Sequence, residues 1–185
     1  GSAGHGLALE AGSDFNTVDQ STVVTTFASN AAFLFNSVAN NRLTNSYVQN
    51  LAGTAVWMLN QSSSNAIGQT AVHSRAAGVA AVLLSGAALN TITDSHIENL
   101  QGHAARMTDS DFNTVSRSTF ISAAPAVGHY AFYILRGSSN TVMDSYIQGS
   151  SAAYISAATG TVIGGSVLVA TKTAGSALIL TGGSL

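Results

Sequence analysis

The sequence predicts an all-β chain wound as a single-stranded solenoid, with three short strands per coil and seven to eight coils of about 24 residues. Three observations predict it. An Asn recurs at a nearly constant interval through the 185 residues. Aliphatic residues alternate with polar ones around it at period two, the signature of strands. No segment carries apolar residues at helical spacing, and the chain has a single proline, Pro125.

The elements follow in order from that Asn. It falls at Asn16, Asn41, Asn65, Asn90, Asn113 and Asn140, at intervals of 25, 24, 25, 23 and 27 residues. Two residues on stand Val18, Leu43, Ile67, Ile92, Val115 and Val142, the inward side of one strand. Five on stand Ser21, Ser46, Thr70, Ser95, Ser118 and Ser145, at a second corner. Seven on stand Val23, Val48, Val72, Ile97, Phe120 and Ile147, the inward side of the next strand. β-branched residues fill these columns, as strands prefer. Eight before the Asn stand Ala8, Phe33, Trp57, Val82, Ala105 and Phe132, read as the inward side of a third strand. A seventh copy, "GTVIGGSV" (Gly160–Val167), puts Gly in the Asn place and its Ser one residue late, and "SALILTGG" (Ser176–Gly183) reads as a last strand.

One such coil has nothing to bury its apolar side against, and stacked coils do. At a strand spacing of about 4.8 Å, the stack is a rod on the order of 35 Å long. Like residues then lie above one another. A stacked Asn can bond its neighbour and the backbone groups that each corner takes out of the sheet, and the Ser/Thr column can do the same. Both columns therefore read as structural ladders.

The coil "N-x-[VIL]-x-x-[ST]-x-[VIF]" resembles those of the right-handed parallel β-helix of pectate-lyase-like proteins, with coils like those of carbohydrate-active enzymes, phage tailspikes and secreted adhesin passengers. The resemblance runs from about Gly4 to Leu185. It implies right-handedness and a secreted or surface setting, bacterial or on a phage virion. Residues 1–3 read as a cloning remnant or linker, and residues 4–185 as one β-helix domain cut from a longer protein. The enzymes resembled carry signatures that this chain lacks: there is no Asp-Pro-His-Asp, no paired-Asp block and no dense acidic calcium site.

Composition narrows the partners. Eight acids against six Lys plus Arg leave a net charge of −2, without the basic stripe that nucleic acid or an anionic membrane requires. No apolar run approaches the roughly 18 residues of a membrane span. Without cysteine, disulfides and thiolate chemistry are excluded. No cofactor and no metal are expected.

Chemistry has to sit on outward columns. His73 and Glu98 share one column in adjacent coils, His96 lies two residues from Glu98, and Arg75 just past His73. These four are the candidate catalytic residues, suited to acid–base work on a sugar. His73, His96 and Glu98 are also metal ligands by type, without a tight motif. Asp94 and Asp144 flank Arg117 and read as a stacked ion-pair ladder; Asp109 and Asp111 read as turn residues. The column after the Asn, Thr17, Arg42, Ala66, Thr91, Thr114 and Thr141, is a Thr array broken at Arg42 and Ala66, which argues against ice binding. On the remaining face, Leu9, Leu34, Met58, Leu83, Arg106 and Tyr133 are read as an outward stripe, an interface for a homo-oligomer (trimeric or end-to-end) or for missing parts of the parent chain. The function expected is a structural or carbohydrate-binding module of adhesin or fibre type. The alternative is a polysaccharide lyase or hydrolase, as in a tailspike.

Overall fold

The first coil runs through β1 (Leu7–Glu10), β2 (Thr17–Asp19) and β3 (Thr22–Thr25). The triplet recurs as β4 (Phe33–Asn36), β5 (Arg42–Thr44) and β6 (Tyr47–Asn50), then β7 (Val56–Leu59), β8 (Ala66–Gly68) and β9 (Ala71–Ser74). Next come β10 (Ala80–Ser85), β11 (Thr91–Thr93) and β12 (His96–Asn99), and β13 (His103–Thr108), β14 (Thr114–Ser116) and β15 (Thr119–Ser122). The last two coils hold β16 (Tyr130–Leu135), β17 (Thr141–Met143) and β18 (Tyr146–Gly149), and β19 (Ser151–Ser156), β20 (Val162–Gly164) and β21 (Val167–Ala170), after which β22 (Leu178–Thr181) begins another turn. The computed structural model describes residues 4–125 and 128–182, and among these there is no helix. Residues 1–3 and Gly183, on which two of the expectations above fall, lie outside the described residues.

Each strand pairs in parallel with its counterpart one coil away, giving three sheets of eight, seven and seven strands. The coil is right-handed, as parallel strands joined by crossovers almost always are. Inside, Leu43, Ile67, Ile92, Val115 and Val142 form one buried column, and Val48, Val72, Ile97, Phe120 and Ile147 another. The largest buried rings, Phe33, Phe35, Phe120 and Phe132, fill the space between them and the first sheet.

The corners work through their side chains. From Asn41 onward, each ladder Asn accepts two bonds on Oδ1 from the coil before: Asn65 N–H and Nδ2–H reach Asn90 Oδ1 at 2.9 and 3.1 Å. Its own Nδ2 donates onward and backward, Asn90 to Asn113 Oδ1 and to the Ser62 carbonyl. The Ser/Thr column repeats the device: Ser95 N–H donates to Ser118 Oγ, whose proton goes to the Ser116 carbonyl. Between these ladders, the residue four after each Asn takes a left-handed conformation in every coil, at Gln20, Asn45, Gln69, Asp94, Arg117 and Asp144. Non-glycine residues rarely hold it, so the flanking ladders set the corner geometry.

Three sequence readings need correcting. In the first sheet Ala8 pairs with Leu34 and Trp57 with both Leu34 and Leu83, so Ala8 and Trp57 belong to the outward column. Leu9 and Met58 pair with Phe35 and point inward; Met58 is fully buried. The outward column is therefore Ala8, Leu34, Trp57, Leu83, Arg106, Tyr133, Tyr154 and Ile179. The error is one residue in coils one and three, whose turns before the Asn are longer, and a one-residue slip in a strand exchanges its faces. In the seventh copy Thr141 pairs with Val162, which puts Thr161, not Gly160, in the Asn place. Ser166 then stands in register, taking the Ser145 N–H.

Candidate functional site

The third sheet presents the predicted polar cluster. Alternation turns Gln49, His73, Glu98 and Gln148 outward, with Tyr47, His96 and Tyr146 in the neighbouring column. His73 Nδ1 lies 3.2 Å from Glu98 Oε2, the His73 and His96 rings are 5.6 Å apart and the Tyr47 ring is 5.3 Å from His73. Burial, then the neighbouring His73, holds His96 below the usual histidine range, so it is neutral near pH 7. Arg75 follows β9 onto the corner, where it lines a groove with Leu100, Gln101 and His129; no hydrogen bond or ion pair joins it to the cluster among the described residues. No group of three metal-ligating side chains is found among the described residues.

Asp94 is held by Arg117 through a two-pronged pair, at 2.8 and 2.9 Å, which keeps its carboxyl below the usual range. Asp109 is paired to Arg136 in the same way. Asp111 accepts the Ser138 N–H across a turn. These acids bind their neighbours along the rod.

The first sheet carries a cluster that the sequence reading saw only in part. Alternation turns Trp57, Leu83, Arg106, Tyr133 and Tyr154 out of β7, β10, β13, β16 and β19. Tyr130, at the start of β16, stacks on Tyr154 at 4.7 Å, and Tyr133 meets Tyr154 edge to face at 5.2 Å. His103 lies almost parallel to Tyr130, 5.7 Å away, and 5.3 Å from Tyr133. The Arg106 guanidinium sits 5.2 Å above the Tyr133 ring, its Nε bonded to Thr108 Oγ1. All but His103 are half-buried, so the rings form a wall that solvent reaches. Trp57, Leu83 and Arg106 continue it beside a cavity of about 170 Å³, edged by Asn30, Thr54 and Gly78.

The cluster was legible in principle. Aligning on Thr161 puts Tyr154, seven residues before it, in the outward column.

His103 is the anchor of this wall. Its Nδ1 accepts the Tyr130 N–H at 3.0 Å. Burial, then the neighbouring His129, lowers its pKa to about 4. The unfolded chain binds a proton near pH 6.5 and the folded chain only near 4, so stability is full above about 6.5 and falls as the pH drops between the two. Melts at pH 7 and pH 4.5 should show wild type losing up to about 3 kcal/mol across that window. His103→Asn, which keeps an acceptor for Tyr130, should lose much less. Equal losses would mean that His103 is not the titrating group.

Comparison with known proteins places the chain. Residues 1–147 match the family described as a right handed beta helix region. No curated protein sequence matches it. Among solved structures, it is similar to the surface protein and adhesin PfbA of Streptococcus pneumoniae, at 10% identity and a TM-score of 0.37, over 96% of this chain and 68% of that one. It is also similar to HetL, a pentapeptide repeat protein involved in heterocyst differentiation regulation in the cyanobacterium Nostoc sp. strain PCC 7120, at 8% identity and a TM-score of 0.18, over 91% of this chain and 87% of that one.

Proposed function

Because the chain belongs to the right-handed β-helix family, we propose that it is a carbohydrate-binding β-helical module of a secreted or cell-surface protein, with the aromatic wall of the first sheet as its binding face. One observation carries this reading: Tyr133, Tyr154 and Tyr130 are packed ring against ring at the surface. A pyranose ring has faces of C–H bonds and a rim of hydroxyls. Tyrosine offers the matching pair, a flat apolar face and a phenolic O–H, and loses little entropy in binding because the packing already fixes it. From Trp57 to Tyr154 the wall crosses four coil spacings, about 19 Å, room for several sugar units.

The test is binding to a panel of bacterial and plant polysaccharides, by calorimetry, with Tyr133→Ala and Tyr154→Ala. Each substitution should weaken binding at least about tenfold, the loss of one stacking contact, while His73→Ala leaves it unchanged. Binding that survives both tyrosine substitutions would refute the assignment to this face.

A second reading rests on the His73–Glu98 contact. It makes the third sheet a lyase or hydrolase site worked by His73, His96 and Glu98, with Arg75 nearby. It requires new reducing ends or unsaturated products from some member of the panel, lost in Glu98→Ala. Self-association as a trimer or end to end is proposed alongside either reading, and light scattering reads it.

A further inference from the structure

We propose that Arg106 selects an acidic sugar, by pairing with the carboxylate or sulfate of one unit of the glycan that lies on the aromatic wall. The inference rests on the glycan-binding reading above and adds its chemistry. Among the outward positions of the first sheet Arg106 is the one cation, and the one other charged residue there, Glu10 of β1, lies four coils away. Arg117 and Arg136, which also pack on this rod, are each matched by an aspartate; Arg106 has no ion pair among the described residues. His103, the titratable group whose field Arg106 shares, does not neutralise it, because burial keeps that ring uncharged at pH 7.

The side chain is also held in place. Tyr133 lies under the guanidinium and Thr108 takes its Nε–H, so among the described residues the two terminal nitrogens have no protein hydrogen-bond partner. A planar fork of N–H donors fixed on a ring fits a planar anion in a two-pronged pair. Half-burial strengthens the pair relative to one in open water. Beside it lies the cavity of about 170 Å³ under Trp57 and Leu83, large enough for a substituent of the sugar. Trp57 Nε1 at the cavity wall is buried without an acceptor, so this end of the wall has donors in excess.

The experiment uses an array of uronate-containing oligosaccharides, each printed beside its carboxyl-reduced form and a sulfated analogue. It is probed with wild type, Arg106→Gln, Arg106→Lys and Tyr133→Ala. The wild type should prefer an acidic form over its reduced counterpart by about tenfold to a hundredfold, the range of a charge-assisted pair. Whether the uronate or the sulfated spot is brighter identifies the source of the charge. Arg106→Gln should erase the preference while keeping the affinity for the reduced form, and Arg106→Lys should restore part of it. Raising the salt should narrow the preference in wild type and leave Arg106→Gln unaffected. Equal binding of acidic and reduced forms by wild type, with loss of both in Tyr133→Ala, would overturn this inference and leave the glycan reading intact. No binding to any spot would overturn the glycan reading itself, and the role of Arg106 with it.

Discussion

Asn90→Ala should be the most damaging single truncation in the rod, costing about 3–5 kcal/mol. The side chain is buried in the middle of the ladder and makes four bonds. Its removal leaves the Asn65 backbone N–H and one Asn65 amide proton with no acceptor in a dry corner, and each such donor costs about 1–3 kcal/mol. The Ser62 carbonyl is hurt less, because the Ala88 N–H still reaches it. Asn90→Asp would keep the acceptor but bury a charge against Asn113 Oδ1, and should be at least as harmful. Asn16→Ala is the matched control. Asn16 is exposed and only gives bonds, to Asn41 and to the Asp14 carbonyl, so its loss should cost about 1 kcal/mol or less. Urea melts of the three variants decide the matter. Equal, small losses at Asn90 and Asn16 would mean that the corners are held by sheet pairing alone. The melts also bear on cooperativity, since coils that touch only their neighbours can open from one end.

The fold was legible because the ladder residues repeat in type as well as in place. Asn41, Asn65, Asn90, Asn113 and Asn140 are each satisfied by an identical neighbour, and substitution by anything else leaves a donor unmatched, so identity itself carries the register. The first sheet has no such marker. Its strands are anchored to the ladder across turns of unequal length, and the extra residue in coils one and three moved Trp57 from outside to inside and Met58 the other way. The reading that exposed Met58 and hid Trp57 was plausible on hydrophobicity alone, since both are large and apolar. The site suffered more than the fold for this reason. The His73–Glu98 pair, counted forward from the Asn over a constant distance, fell where expected. The aromatic wall, counted backward, lost Trp57 to the slip and Tyr154 to a coil with Thr161 in the ladder place. The left-handed corner at Asp94 and Arg117 has no signature in the sequence, because only Gly165 in that column is glycine.

A second large effect arises at a different corner, the one between the third and first sheets, at Gly102. Asn50 and Asn99 end alternate third-sheet strands, and each reaches back to tie down the longer loop of the coil before: Asn99 Nδ2 donates to the carbonyls of Ala76 and Val79, while its Oδ1 accepts the N–H groups of Gln101 and Gly102. Closing that cage brings the loop carbonyls onto the Gly102 Cα. A Cβ there would fall on the Val79 oxygen and within 2.7 Å of both the Ala76 oxygen and Asn99 Nδ2. These are backbone atoms and a committed donor, and none can step aside without undoing the cage. Gly102→Ala should therefore cost about 2–4 kcal/mol, lowering the melting temperature by roughly 5–15 °C in a chain of this size. Gly68→Ala, whose new methyl would meet only methyl groups at 3.7 Å, should change little. The consequence reaches the binding face, because the next residue is His103, whose ring receives the Tyr130 N–H and lies along the Tyr130 ring. A shift of the chain at Gly102 displaces that ring and disorders the wall of tyrosines above it. Gly102→Ala should thus lose glycan affinity even at temperatures where it remains folded, whereas Asn16→Ala, at the far end of the rod, should lose none. A Gly102→Ala protein with wild-type affinity would show that the tyrosines hold their positions without the histidine, and that the wall is organised by its own stacking.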